Sequence, residues 1–233
     1  MSLYLWRARL DLDDAALHTC AAVLSADERA RREALALPRL RRRFTAARAF
    51  LRCVLGAHLG LPPAELRFSY GRYGKPALPG GPPFNLTHAE DLALLAVGTR
   101  AEVGLDLELL RPLPDLTGLA ALCFCPAEQA ALARTPPAEQ TALFYRIWTR
   151  KEAALKALGT GLSLEPTAVE VSTGPVARLR SIAGVEVDEQ GWLLLDLDVG
   201  PGHAAALALC PSSDPRVDPG PIRDWIPSEI NVF

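Results

Sequence analysis

The sequence predicts an α+β fold, and three features of the chain support that prediction. The order of a strand, then helices, then further strands occurs twice, before and after about residue 104. Two long segments have the 3.6-residue apolar period of a helix, while several short segments alternate apolar and polar residues as strands do. No window approaches the ~20 consecutive apolar residues of a membrane span. We therefore expect two similar α+β halves.

The first half begins with a strand and continues with two helices. Apolar residues alternate from Leu3 to Leu12, which is typical of a half-buried strand. Ser25 and Glu28 have the spacing of a capping box, which predicts a helix from there to about Leu37. A second helix is expected from about Leu40 to Leu59, before Pro62 and Pro63.

The remaining elements are mostly strands. Short strands are expected at Leu66 to Tyr70, Asp91 to Val97, Glu102 to Leu107, Ala168 to Ser172, Trp192 to Val199 and Ala204 to Cys210. A long helix from about Glu139 to Leu158 is expected to end at Gly159. These elements divide the chain into an N-terminal half (1–104), a C-terminal half (105–210) and a Pro-rich tail (211–233).

Composition places the chain among ordinary globular proteins. Hydrophobic residues make up 49% of the 233 residues and charged residues 22%, unlike a disordered chain. The five cysteines are odd in number and scattered, so we expect reduced, mostly buried thiols. The first twelve residues lack the regions of a signal peptide. We therefore expect a cytoplasmic protein without a membrane segment.

Positive charge is concentrated in one segment of the chain. Between residues 29 and 52, nine arginines and one acid, Glu33, give a net charge of +8, which leaves −10 for the remainder of a chain of net charge −2. The arginines are Arg29, Arg31, Arg32, Arg39, Arg41, Arg42, Arg43, Arg48 and Arg52. This asymmetry predicts an anionic ligand or partner, which could be nucleic acid, a phosphorylated cofactor or an acidic protein.

Two carboxylates alternate on one predicted strand. In the segment V-G-L-D-L-E, Asp106 and Glu108 lie two residues apart and therefore on the same face of the strand. Such a pair can hold Mg²⁺ together with substrate phosphates, because Mg²⁺ prefers oxygen ligands and keeps several waters. The alternative interpretation of this pair alone is an exposed polar strand face.

A second group of charged residues lies on the long helix, in the segment W-T-R-K-E-A-A-L-K. Glu152 and Lys156 are four residues apart and share one face, which alone is typical of a solvated ion pair. Lys151 falls on the apolar side of the helical wheel. A lysine there needs an anion or a long reach to water.

Two further segments become informative only in combination with these. They are Gly74-Lys75-Pro76 and Phe84-Asn85-Leu86-Thr87-His88. Alone, the first is an ordinary turn and the second contains a lone histidine. The ordered set G-K-P, F-N-x-[ST]-H, V-G-x-D-x-E and W-[ST]-x-K-E-A-x-x-K resembles the surfactin-synthetase-activating (Sfp-type) class of 4'-phosphopantetheinyl transferases, over about residues 25 to 165.

The resemblance implies both a fold and an activity. It implies a pseudo-twofold monomer of two α+β halves with coenzyme A in the cleft between them. The implied reaction transfers the 4'-phosphopantetheine arm of coenzyme A to a serine of an apo acyl or peptidyl carrier protein and releases adenosine 3',5'-bisphosphate. Mg²⁺ is the implied cofactor, with Mn²⁺ as an alternative.

The resemblance also implies roles for individual residues. Asp106, Glu108 and Glu152 would surround the metal. The residues implied to contact coenzyme A are Arg31, Arg48, Lys75, Pro76, Thr87, His88, Asp106, Lys151, Glu152 and Lys156. Thr87 replaces the serine of many relatives and keeps the hydroxyl. Arg48, or else Arg31, would hold the 3'-phosphate.

Catalysis would involve Glu152, Lys156 and His88. A carrier serine must lose its proton, to Glu152 or to a metal-bound water, before it attacks the β-phosphorus of coenzyme A. Lys156 would stabilise the leaving phosphate. The segment Leu113 to Phe124, with leucines at near-helical spacing, is expected to dock the carrier.

Two other functions are compatible with parts of the sequence. The arginine-rich segment could bind nucleic acid, although the remainder is acidic and a platform of stacking aromatic residues is missing. The carboxylates could serve a metal-dependent phosphohydrolase, which would consume coenzyme A without a carrier. We expect neither nucleic acid nor a membrane as partner.

Overall fold

A computed structural model describes residues 3–98, 101–159, 164–188, 191–210 and 220–227. The first-half elements are β1 (Tyr4–Arg9), α1 (Asp14–Ala22), α2 (Ala26–Ala34), α3 (Pro38–Leu59), β2 (Ser69–Tyr70), β3 (Pro76–Ala77), β4 (Phe84–Ala89) and β5 (Leu92–Val97). The second-half elements are β6 (Glu102–Leu109), α4 (Leu116–Cys123), α5 (Pro126–Arg134), α6 (Pro137–Leu158), β7 (Val169–Val171), β8 (Leu179–Ile182), β9 (Val185–Glu186), β10 (Leu193–Asp196), β11 (His203–Cys210) and β12 (Arg223–Asp224). The predicted α+β class is confirmed.

The two halves repeat one arrangement of elements. Each has two short helices, a 22-residue helix and three antiparallel strands, in the order β1-β5-β4 in the first half and β6-β11-β10 in the second. Both long helices, α3 and α6, begin at a proline, where the missing N–H costs no hydrogen bond. They end at Gly60 and Gly159, whose φ angles of 66° and 67° suit glycine.

The chain packs in layers, with the helices outside and the two sheets facing each other. Side chains such as Leu5, Leu94, Leu105 and Leu207, from β1, β5, β6 and β11, fill the space between the sheets. The opposite faces of the sheets pack against the two sets of helices. No helix among the described residues is both long and apolar enough to cross a bilayer.

Several boundaries differ from the sequence-based predictions. The first strand is shorter than predicted, because the chain turns at Asp13, whose side chain caps the unpredicted helix α1. Helix α2 ends at Ala34, before the predicted Leu37. The division after residue 104 passes through β6, and the proposed division into two domains and a tail stays a prediction. Of the tail, residues 211–219 and 228–233 lie outside the described residues.

Strand β6 joins the two halves and packs directly on α6. The backbone N–H of Leu105 donates to Asn85 Oδ1 on β4 at 2.8 Å. On the helix side, a Cβ at Gly104 would overlap the carbonyl oxygen of Ala153 and the backbone nitrogen of Ala157. The glycine of V-G-x-D-x-E therefore allows the strand that carries Asp106 and Glu108 to lie against α6.

All five cysteines are free thiols. Cys20, Cys53 and Cys125 are buried, while Cys123 and Cys210 are half-buried. Burial raises the pKa of Cys20 to about 11 and that of Cys53 to about 12. The pKa values of the other three thiols are raised as well, mainly by burial.

Candidate active site

Four of the predicted site residues line one cleft of about 420 Å³. Lys75 and Pro76 come from the turn and strand that follow β2, while Glu152 and Lys156 come from α6. The remaining lining residues are Tyr73, Gly74, Asn85, Leu86, Leu155, Gly159, Leu164 and Pro166. The structure thus brings together residues from three of the four motifs.

The carboxylates of β6 lie beside this cleft. Asp106 is 4% exposed, and its Oδ1 accepts a hydrogen bond from Lys156 Nζ at 2.5 Å. Lys156 also donates to the carbonyl oxygen of Leu105 at 3.2 Å. Glu108 Oε1 accepts from the indole N–H of Trp148 at 3.2 Å. Strand β6 and helix α6 therefore present their acids and the Lys156 ammonium to the same place.

The three acids are held in an environment that disfavours their charge. Burial raises the pKa of Asp106, although Lys156 opposes the shift. Burial and the nearby Asp106 raise the pKa of Glu108. Burial, Asp106 and Glu108 also raise the pKa of Glu152, again against Lys156. Three crowded carboxylates share one ammonium, so the cluster has an excess of negative charge.

One oxygen of this cluster could take part in binding a divalent cation. Asp106 Oδ2 is buried and has no hydrogen-bond partner among the described residues, which leaves a carboxylate oxygen available to a metal. The pyrophosphate of a nucleotide could not approach three carboxylates without a cation between them. Among the described residues, no group of three or more His, Cys, Asp and Glu side chains is arranged so that it could hold a metal ion by itself. Phosphate oxygens and water would therefore have to supply most of the coordination, as is usual for Mg²⁺.

Lys75 links the two halves at the rim of the cleft. Its Nζ donates to the carbonyl oxygens of Val103 at 3.1 Å and Lys156 at 2.9 Å, and it lies 3.3 Å from Glu102 Oε2. The hairpin that carries Lys75 is thereby attached to β6 and to the end of α6. To bind the Lys75 ammonium, a phosphate would have to compete with these two backbone carbonyl groups and with the exposed carboxylate of Glu102.

Thr87 and His88 lie on β4, next to the residues that line the cleft. Thr87 is buried, whereas His88 is exposed. Desolvation by the surrounding protein, with the positive charges of Lys156 and Arg43, lowers the pKa of His88. The uncharged imidazole can donate one hydrogen bond and accept another.

The arginine-rich segment is largely occupied by ion pairs. Seven of its nine arginines lie within 4.0 Å of a carboxylate, namely Arg32, Arg39, Arg41, Arg42, Arg43, Arg48 and Arg52. Arg48 is buried against Glu28, which it shares with Arg52. Arg31 is exposed and stacks on the ring of Tyr70 at 4.3 Å. Arg31 therefore has the more accessible guanidinium of the two candidates for a phosphate.

Lys151 does not reach the cleft. The residue is completely buried, and its Nζ contacts Glu128 Oε2 at 2.5 Å and the carbonyl oxygen of Val169. The sequence had placed it correctly on the apolar side of the helix, with an anion needed to accompany it. That anion is a carboxylate of the protein.

Sequence reasoning missed three residues that build the site. Asn85 connects β4 to β6, Gly104 allows β6 to approach α6, and Trp148 hydrogen-bonds Glu108. All three belong to the motifs. Trp148 could have been found from its spacing, since it lies four residues before Glu152 and eight before Lys156, on one face of the helix.

Comparisons with known proteins give matches to 4'-phosphopantetheinyl transferases. Residues 102–208 match the model of the 4'-phosphopantetheinyl transferase superfamily. The 4'-phosphopantetheinyl transferase HetI of Nostoc sp. is 39% identical, over 89% of this chain and 87% of its own. The 4'-phosphopantetheinyl transferase Sfp of Bacillus subtilis is 33% identical, over 49% of this chain and 50% of its own. Thermotoga maritima holo-[acyl-carrier-protein] synthase superposes with a TM-score of 0.36 and 22% identity, over 47% of this chain and 62% of that one.

The match to HetI spans nearly the whole chain, and the family model covers the carboxylates of β6 and all of α6. The chain belongs to the 4'-phosphopantetheinyl transferase family. Its reaction is the transfer of the phosphopantetheine group of coenzyme A to a carrier protein.

Proposed function

We propose that the chain is a Mg²⁺-dependent 4'-phosphopantetheinyl transferase of the Sfp-type class. Its active site would be the cleft between the β2–β3 hairpin, β4 and α6, together with the carboxylates of β6 beside it. The observation that carries the proposal is the cluster of Asp106, Glu108 and Glu152 around one lysine, with the buried Asp106 Oδ2 unpaired. The order of the four motifs supports the class. Mn²⁺ is the alternative ion.

Asp106, Glu108 and Glu152 would hold the cation. When bound, the cation would offset the charge of the pyrophosphate and polarise its oxygens. Lys156 donates a hydrogen bond to Asp106 and could turn its ammonium towards the leaving phosphate. We propose that Lys75, at the rim of the cleft, and His88, beside it on β4, contact further phosphate oxygens. Pro76 and Thr87 are proposed cofactor contacts as well, and Arg31 or Arg48 the partner of the 3'-phosphate.

Glu152 is our candidate for the base. It lines the cleft from α6 beside Lys156, and a carboxylate within hydrogen-bond reach of a hydroxyl can act as general base. It would take the proton of the carrier serine, whose oxygen then bonds to the β-phosphorus of coenzyme A. The bond from that phosphorus to the bridging oxygen breaks, and adenosine 3',5'-bisphosphate leaves with the electron pair. His88 and Lys156 would stabilise the charge on the phosphates.

The carrier would dock on α4 and its flanks, from Leu113 to Phe124. Leu122 is 72% exposed and Leu119 36%, so this helix, which packs against α6, offers an apolar surface. Its other side is anchored, because Phe124 is completely buried and Leu116 packs on the hydrophobic core between the second-half helices and their sheet. We further propose that the protein acts as a monomer in the cytoplasm.

The test is transfer to purified apo carriers of the acyl and peptidyl types, followed by mass spectrometry. We expect a gain of one phosphopantetheine per carrier, which a chelator abolishes and Mg²⁺ restores. Asp106→Ala should lower turnover by roughly 10²-fold or more, with circular dichroism as the control for folding. Glu139→Gln, an exposed acid on the same helix as Glu152, should leave turnover unchanged. A folded Asp106→Ala with normal turnover would refute the assigned site.

A further inference from the structure

Glu128 is the most heavily bonded buried carboxylate of the second half. The residue is 1% exposed. Its Oε2 accepts from the backbone N–H of Cys125 at 2.9 Å and from Lys151 Nζ at 2.5 Å, and its Oε1 accepts from the backbone N–H of Val171 at 2.8 Å. One side chain therefore connects the start of α5, the middle of α6 and strand β7.

Lys151 completes this connection from the other side. Its Nζ donates to Glu128 and to the carbonyl oxygen of Val169, also on β7. A buried ion pair tolerates little displacement, because a charge that loses its partner in the interior is strongly destabilised. The pair therefore fixes where α6 lies relative to α5 and β7.

Lys151, whose position the ion pair fixes, is the immediate neighbour of Glu152 in the chain. Helix α6 has three different surroundings. On one face Lys151 contacts Glu128, and on another Ala153 and Ala157 lie against Gly104 of β6. On the third face, Glu152 and Lys156 line the cleft. A shift of α6 at Lys151 would move Glu152 relative to Asp106. Misplacement by about 1 Å is enough to cost up to 10²-fold in rate.

The first half contains a similar buried ion pair, but no carboxylate of the cleft lies next to it in the chain. Glu28 of α2 accepts from the backbone N–H of Ser25 and from Arg52 Nε at 3.0 and 2.6 Å. Arg52 and Lys151 each lie eight residues before the glycine that ends their helix, Gly60 or Gly159. Helix α3, unlike α6, carries no carboxylate of the cleft. The repeat therefore provides a matched control.

We infer that Glu128 and Lys151 are positioning residues, which set the place of Glu152 in the active site by holding α6 against α5 and β7. This inference deepens the proposed function and rests on the assignment of Glu152. Neither side chain touches the substrate. Both act through the helix, so their loss changes the rate of the chemical step more than the binding of coenzyme A.

The test compares the double variant Glu128→Gln/Lys151→Met with Arg52→Met. The double variant removes both charges with little change in volume, so no unpaired charge is buried. We expect its kcat, per folded molecule at saturating substrates, to fall about 10-fold or more, with a KM for coenzyme A within about 3-fold of wild type. Arg52→Met should lower Tm and keep kcat within about 2-fold, since Glu28 retains Arg48.

If the double variant does not fold, Glu128→Asp provides the same test. It keeps the charge pair and shortens the reach of the carboxylate, and we expect a fall in kcat of several-fold with KM unchanged. Unchanged kcat in a folded variant overturns the inference, as does an equal loss in Arg52→Met. A wrong assignment of the active site itself would give a different result, because Glu152→Gln would retain the wild-type kcat.

Discussion

At the scale of single residues, the three carboxyl groups at the cleft lie in an environment that disfavours their charge. The pKa of Glu152 is raised above its ordinary value of 4.5 by burial and by Asp106 and Glu108. The folded state therefore binds this proton more tightly than the unfolded state does. Below the ordinary pKa both states are protonated, and the group has no effect on stability. As pH rises through the window up to the raised pKa, stability is lost.

This linkage predicts a stabilising substitution at an active-site residue. Without divalent cations, Glu152→Gln should raise Tm relative to wild type at pH 7 to 8, because the uncharged amide avoids the crowded carboxylates. The difference should shrink as pH falls toward the ordinary glutamate pKa. Thermal unfolding in a chelator, between pH 4 and 8, measures it. A Tm difference that does not depend on pH would contradict charge repulsion among the three acids as its cause.

The two arginines proposed for the 3'-phosphate also make a prediction at this scale. Loss of a guanidinium-to-phosphate hydrogen bond costs roughly 1.5 to 3 kcal/mol, which is about 10-fold to 150-fold in affinity. Because Arg31 is the accessible one and Arg48 is held by Glu28, we expect the larger loss in Arg31→Ala.

Titration with coenzyme A and with 3'-dephospho-coenzyme A measures that loss. The effect should be seen with the first and largely vanish with the second, which lacks the contacted group. Equal losses on both cofactors would exclude the arginine tested. A steeply salt-dependent affinity for any DNA duplex would instead support the nucleic-acid alternative.

At the scale of elements, the sequence predicted the parts that local chemistry determines. The capping box at Ser25 and Glu28 and the glycine stop at Gly159 are local signals, so the end of helix α6 was predicted correctly and its start to within two residues. The partners of buried charges are not local. Nothing near Lys151 in sequence indicates Glu128, 23 residues earlier, so the partner of this lysine could not be predicted.

Helix α4 provides a prediction that separates docking from folding. Leu122→Asp, at a side chain 72% exposed, should raise the KM for the carrier about 10-fold and leave the KM for coenzyme A unchanged, because truncating an interface anchor commonly costs more than about 1 kcal/mol. Val176→Asp, 61% exposed elsewhere in the second half, is the control. Leu116→Asp, which packs on the core, should instead destabilise the fold. Equal KM changes for both substrates would argue against carrier docking on this helix.

At the scale of the whole molecule, the duplicated order of elements was visible in the sequence, but the way the halves meet was not. Periodicity predicted two sets of helices and strands. It could not predict that Asn85 would bond to Leu105 across the halves, or that Lys75 would attach its hairpin to the end of α6. These contacts connect residues 20 to 81 positions apart. The cleft exists only because they form.

The thiols described with the fold have a consequence for an enzyme whose substrate is itself a thiol. Coenzyme A disulfide can exchange with a protein cysteine, whose thiolate attacks one sulfur of the disulfide and releases the other as coenzyme A. All five cysteines have raised pKa values, about 11 for Cys20 and about 12 for Cys53, so at neutral pH they are almost entirely protonated. Incubation with coenzyme A disulfide should therefore leave the intact mass of the folded protein unchanged over hours, and adducts should form only after unfolding. We therefore expect the folded enzyme to resist modification by the disulfide of its own substrate.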